Sequence, residues 1–149
     1  MENITELYDL MERTAHKYAQ FEKKTQTIDD LKLTHVEVHT IACIGDHSNL
    51  NLSTLANLRG ISKSAASQMI GRLRKKGLVN KQTSPDSEAA ITLTLTESGK
   101  KVYEHHKKYH ENTNSGIFQI LKDLPEDAGN ALITALKVFN GQLDQWLEK

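Results

Sequence analysis

Between Asn51 and Leu95 the chain is punctuated at short, regular intervals, and that punctuation leaves few folds open. Asn51 is a capping residue type at the head of a short helix over 52–59, with Leu55 and Ala56 on its inner face and Gly60 at its end. Two residues later Ser62 caps a second helix, 63–76, whose apolar stripe is Ala66, Met69, Ile70 and Leu73. Ile61 is expected to pack between the two, and Gly77 closes the second helix. Beyond Gly77 the period changes to two, predicting strands over 78–83 and 89–95 around the turn cluster Ser84-Pro85-Asp86-Ser87. A short helix, a tight glycine turn, a second helix and a hairpin make a helix-turn-helix with a wing. The fold class is mainly α with a small β-hairpin.

The flanks read as helices. Ile4, Leu7, Tyr8, Met11, Ala15, Tyr18 and Ala19 have helical spacing and predict a first helix over about 2–24. Residues 25–32 are polar and lose that period, which predicts a loop. Thr34-His35-Val36-Glu37 has capping-box spacing, so a helix should start there, carry Ile41 and Ile44, and stop at Gly45. Thr96 can cap a long helix to about residue 121. Pro125, followed by Glu126 and Asp127, suits the first turn of a last helix. That helix is expected to bury Leu132, Ile133, Leu136, Leu143 and Trp146 or Leu147.

Charge says what the winged unit is for. The chain is neutral, with 19 basic and 19 acidic residues, yet the 39 residues between Asp46 and Asp86 hold no acid and seven bases: Arg59, Lys63, Arg72, Arg74, Lys75, Lys76 and Lys81. A basic middle between acidic flanks presents one positive face to a polyanion and repels it elsewhere. A charged helix facing only water would not need 39 acid-free residues. On the polar side of the second helix, Lys63, Ser64, Ser67, Gln68 and Arg72 are small or polar enough to enter a major groove. Gln68 can bond an adenine edge bidentately, and Arg72 a guanine or a phosphate. Asn51, Arg74, Lys75 and Lys81 are the expected phosphate contacts.

These residues resemble a known family. Leu33-Thr34, the run from Leu50 to Ser62 (LNLSTLANLRGIS), Arg72-Leu73-Arg74-Lys75-Lys76-Gly77-Leu78-Val79 and Leu95-Thr96-Glu97-Ser98-Gly99 are similar, in order and spacing, to the MarR family of bacterial and archaeal transcription regulators. The likeness covers nearly the whole chain. It implies a single domain over 1–149, with a winged helix-turn-helix lobe over about 33–99 and dimerisation helices over about 1–32 and 100–149. It further implies an obligate homodimer on double-stranded DNA of pseudo-palindromic sequence, with a ligand or metal at the junction altering lobe spacing. One departure concerns the wing. The family's Asp-x-Arg pattern reads Asp86-Ser87-Glu88 here, placing a carboxylate where a minor-groove arginine is expected.

Seven histidines raise a metal reading. His106 and His110, four apart on one helix, lie on one face and can share an ion. In the zinc-sensing branch of the family a histidine of the second helix joins such a pair. The resemblance therefore implies a zinc set of His39, His106 and His110, with Glu22, offset by one, as fourth ligand. His105 could serve that branch's second site, but Thr27 stands about where its cysteine belongs. A solvated helix face is the competing account of the pair, and a small aromatic effector in the junction pocket is the competing signal. Cys43, within Ile41-Ala42-Cys43-Ile44, reads as an inert packed thiol rather than a redox sensor.

Other classes fall away. His106-Lys107-Lys108-Tyr109-His110 lacks the glutamate of H-E-x-x-H, and no phosphate loop, G-x-S-x-G or C-x-x-C occurs, so no enzyme and no required cofactor is expected. One cysteine, no secretory signal and no apolar run near the roughly 20 residues of a membrane span predict a cytoplasmic protein without membrane contact. The remaining alternative is a dimeric winged-helix module that binds another protein and has little DNA specificity.

Overall fold

The computed structural model describes residues 2–84, 87–112 and 116–147, with side chains described over 3–83, 91–110 and 119–147. The elements in chain order are α1 (Glu2–Phe21), β1 (Thr25–Ile28), β2 (Leu31–Thr34), α2 (His35–Asp46), α3 (Leu52–Arg59), α4 (Lys63–Lys75), β3 (Val79–Ser84), β4 (Ser87–Leu95), α5 (Glu97–Asn112), α6 (Gly116–Lys122) and α7 (Glu126–Leu147). They form two compact units, 1–109 and 110–149, with the boundary inside α5.

The first unit is the winged helix. Its core joins Ile28, Leu33, Val38, Ile41, Ile44, Leu50 and Leu55 to the α4 stripe Met69, Ile70 and Leu73, and to Leu78, Val79, Leu93 and Val102. Ala66 and Ala56 are buried beside them, as their spacing predicts. The caps hold too. Thr34 and Glu37 form the full capping box of α2, Asn51 Oδ1 accepts from Thr54 N at 2.8 Å, and Ser62 Oγ accepts from Ala65 N at 3.1 Å. Gly60 and Gly77 take the left-handed φ values of 61° and 71° that end α3 and follow α4. Strands β3 and β4 pair antiparallel from Val79↔Leu95, and Leu93 N donates to Leu50 O at 2.7 Å, tying the wing to the segment before α3.

Thr96 joins wing to α5: its hydroxyl donates to Gly77 O at 2.7 Å and accepts from Gly99 N at 3.0 Å. Gly99 is packed so closely that a Cβ there would drive into the Leu78 carbonyl oxygen. Gly99→Ala should therefore cost about 1–2 kcal/mol, as overpacking against backbone does. Urea unfolding at fixed protein concentration checks it; an unchanged midpoint would mean α5 moves away freely.

Three expectations are corrected. Residues 25–32 are not a loop: with Leu33 and Thr34 they form the β1–β2 hairpin, in register Thr25↔Thr34 to Ile28↔Leu31. Asp29 and Asp30 supply its two-residue turn with φ of 47° and 63°, which aspartate tolerates without the usual Asn-Gly signature. The helix expected to residue 121 is seen as α5 to Asn112 and again as α6 from Gly116 to Lys122, and residues 113–115 between them lie outside the described ones. Ile61 is 36% exposed rather than packed.

The last correction is in the second unit. Helix α7 buries none of its residues within the single chain, and Leu132, Ile133, Leu136, Trp146 and Leu147 are all exposed. Ile4, Leu7 and Tyr8 of α1 are exposed likewise. A helical period shows that a face is apolar, not what covers it. No helix among the described residues is long and apolar enough to cross a membrane.

Candidate functional site

Two groups of side chains stand out. The first is the polar face of α4 and its surroundings. With Ala66, Met69, Ile70 and Leu73 turned inward, Lys63, Ser64, Ser67, Gln68 and Arg72 are all exposed, as are Arg74 and Lys75 in the last turn and Lys81 on β3. Arg72 bends back along its own helix, its Nη2 3.7 Å from Met69 Sδ. Asn51 is exposed, but its Oδ1 is committed to capping α3, which leaves its amide hydrogens for another acceptor. The helix C-terminus, where partial negative charge collects, holds Arg72, Arg74 and Lys75, so these bases also complement the helix.

Two of the seven bases in the acid-free stretch are occupied elsewhere. Lys76 Nζ binds both oxygens of Glu37, at 2.8 and 2.9 Å, and the Lys32 carbonyl at 3.1 Å. Arg59 Nη2 binds Glu22 Oε1 at 3.1 Å. Both acids come from outside the stretch, across 39 and 37 residues, so no local pattern in the sequence announces the pairs. Pro85 and Asp86 at the wing tip, and the side chain of Glu88, lie outside the described residues.

The second group is the histidines. His39 on α2 and His106 and His110 on α5 each offer a ring nitrogen such that the three atoms lie within 4.8 Å of one another. The His39 and His106 rings are 5.1 Å apart at 56°. His39 and His106 are half-buried and His110 is exposed, so one side is open. His105 is exposed and outside the group, and Thr27 is exposed on β1.

Glu22 belongs beside this group because of the hairpin no period foretold. After α1 the chain turns through β1 and β2 and comes back on itself, with Val36 N donating to Glu22 O at 3.1 Å and His35 N to Lys24 O at 3.0 Å. That return sets Glu22 Oε1 4.0 Å from His39 Nδ1. His35, the neighbouring histidine, is stacked on Phe21 at 4.1 Å instead.

Three imidazoles and one carboxylate suit zinc in charge and softness. Zinc–nitrogen bonds of about 2.0–2.1 Å put tetrahedral ligand atoms about 3.3 Å apart, so small side-chain rotations would close the set. Cys43 is not part of it. It is half-buried, and burial, with Asp46 adding to it and Arg59 opposing, pushes its thiol up, away from the reactive thiolate.

The MarR family model matches residues 33–88, the span from β2 through the start of β4. Over that span the chain is similar to the MarR family. Among curated relatives, the HTH-type transcriptional regulator PchR of Bacillus subtilis is 22% identical over 93% of this chain and 88% of its own. YhjH of the same organism, an uncharacterised HTH-type regulator, is 24% identical over 77% of this chain, and the match spans less than two thirds (64%) of YhjH. The solved MarR folds agree. The adhesin competence repressor AdcR of Streptococcus pyogenes superposes with a TM-score of 0.66 at 20% identity, over 93% of this chain and 96% of AdcR. Lactococcus lactis ZitR, described as a zinc-responsive MarR family member, gives 0.63 at 16% identity, over 94% and 99%. These relatives are transcription regulators, not enzymes.

Proposed function

We propose that this chain is a zinc-responsive transcription regulator of the MarR family that binds double-stranded DNA as a homodimer at a pseudo-palindromic operator. The exposed, acid-free face of α4 carries the DNA half of the reading. Its side chains present donors and positive charge, α4 itself carries no acid, and the carboxylates of Glu22 and Glu37 are engaged with Arg59 and Lys76. The apolar faces of α1 and α7, exposed in the single chain, supply the area that a dimer needs. The convergence of His39, His106 and His110 with Glu22 beside them carries the zinc half. The complex of ZitR with DNA shares this fold, with a TM-score of 0.62.

Gln68 and Lys75 separate base reading from charge. Gln68→Ala should weaken binding to the operator by roughly 10-fold, in line with about 1–3 kcal/mol for a lost bidentate base contact, while random duplex is bound as before. Lys75→Ala should weaken both duplexes alike and flatten the salt dependence by about one unit of slope. Fluorescence anisotropy on both duplexes between about 50 and 200 mM salt reads both. Equal loss on the two duplexes for Gln68→Ala would remove it from the recognition set. Binding that ignores salt would sink the DNA reading and favour a protein partner.

A further inference from the structure

We infer that Arg59 and the metal ion compete for Glu22, making Arg59 a built-in counterweight that sets metal affinity and links the metal site to the helix-turn-helix. The inference rests on the zinc reading above and adds to it a residue that no metal-ligand pattern contains. A single carboxylate oxygen, Glu22 Oε1, faces both His39 Nδ1 at 4.0 Å and Arg59 Nη2 at 3.1 Å. The three side chains are 24%, 21% and 22% exposed, so their charges are only partly screened by water. In that setting the carboxylate satisfies the guanidinium, and the pair is neutral.

A divalent ion held by three neutral imidazoles changes the balance. It adds two positive charges where one cation already stands, and it draws on the Glu22 carboxylate either as a direct ligand or as acceptor for the ring N–H of a metal-bound His39. Both uses draw on the carboxylate that Arg59 now holds through Oε1. Even if Arg59 kept its hydrogen bond, it would lower the carboxylate's basicity and repel the ion, so its charge opposes loading in every arrangement. Arg59 is the last residue of α3, immediately before the Gly60-Ile61-Ser62 turn that leads into α4. Loading therefore loosens the Arg59–Glu22 ion pair, which ties Glu22, just past α1, to the helix-turn-helix, and leaves a cation at the turn.

Calorimetric titration of metal-free protein with zinc alone tests this, across wild type, Arg59→Met, Arg59→Lys and Glu22→Gln. Methionine keeps most of the arginine stem and removes the charge, and should tighten zinc binding about 10-fold, a typical size for a partly desolvated charge pair. Lysine keeps the charge and should leave affinity near wild type. In a Glu22→Gln background, Arg59→Met should gain much less, because the contested carboxylate is gone. Arg59→Gln serves as a second charge-removing variant if the methionine protein does not fold. Zinc affinity unchanged in both neutral variants would overturn the inference, and weaker binding would make Arg59 a residue that positions Glu22 for the metal. Zinc binding indifferent to His106→Ala/His110→Ala would sink the metal reading itself, and the inference with it, a result distinct from either.

Discussion

His106→Ala/His110→Ala should lose zinc binding by more than about a hundredfold, whereas His105→Ala should bind as wild type does. The double variant leaves only His39 and Glu22, two ligands where a structural or sensing zinc takes four. His105, on the same helix but outside the converging group, controls for any general effect of removing imidazoles from α5. The loss has a second readout. An ion that binds the folded chain at 100 times its dissociation constant adds about 2.7 kcal/mol to stability, so zinc should raise the melting temperature of wild type and of His105→Ala but not of the double variant. Since imidazole ligates only when neutral, the zinc-dependent rise should also shrink on acidification. Operator affinity measured with and without zinc then asks whether the site reports to DNA. A double variant that binds zinc as tightly as wild type would return both histidines to an ordinary helix surface.

What sequence reveals about this chain follows from the range of the interactions. The caps at Thr34, Asn51, Ser62 and Thr96 and the stripe Ala66, Met69, Ile70 and Leu73 are set within a few residues, and each is where its pattern places it. His106 and His110 are legible for the same reason, being one helical turn apart. The β1–β2 hairpin is not, because its strands have four residues each and its turn is Asp29-Asp30, so the polar run looks like a loop. That omission matters for function. The hairpin's return is what sets Glu22 near His39, so this neighbour of the three histidines is reached through a resemblance and not through any spacing. Arg59–Glu22 and Lys76–Glu37 are invisible for a related reason: charge pairs between distant segments leave no period. The exposed faces of α1 and α7 show a further gap, since their apolar pattern is plain while the pattern does not say what covers it.

Lys76→Met should cost about 2–3 kcal/mol of stability near neutral pH, and that cost should shrink as the pH is lowered. Lys76 caps α4, and its Nζ reaches both oxygens of Glu37, whose side chain is 5% exposed while that of Lys76 is 35%. Removing one partner of a buried pair strands the other, at a typical cost of about 3–5 kcal/mol; the exposed lysine end lets some water in and puts this case lower. Burial alone would raise the Glu37 carboxyl, but the Lys76 hydrogen bond, the Thr34 backbone N–H, the Lys76 charge and the Thr34 hydroxyl together outweigh it and hold the group below its ordinary 4.5. A carboxyl depressed by folding stabilises fully above its unfolded value and loses that contribution as pH falls through the folded one. Wild type should therefore lose stability on acidification below about pH 4.5, as that carboxylate takes up its proton. In Lys76→Met the main stabilising charge is gone, Glu37 protonates more readily, and the penalty for burying it as an anion disappears in acid. Urea unfolding of both proteins from pH 7 to pH 3.5, at fixed protomer concentration, should show the two stabilities converging. A gap that stays constant would assign the loss to the lysine stem's packing, and the hold of α2 on the end of α4 would then owe nothing to charge.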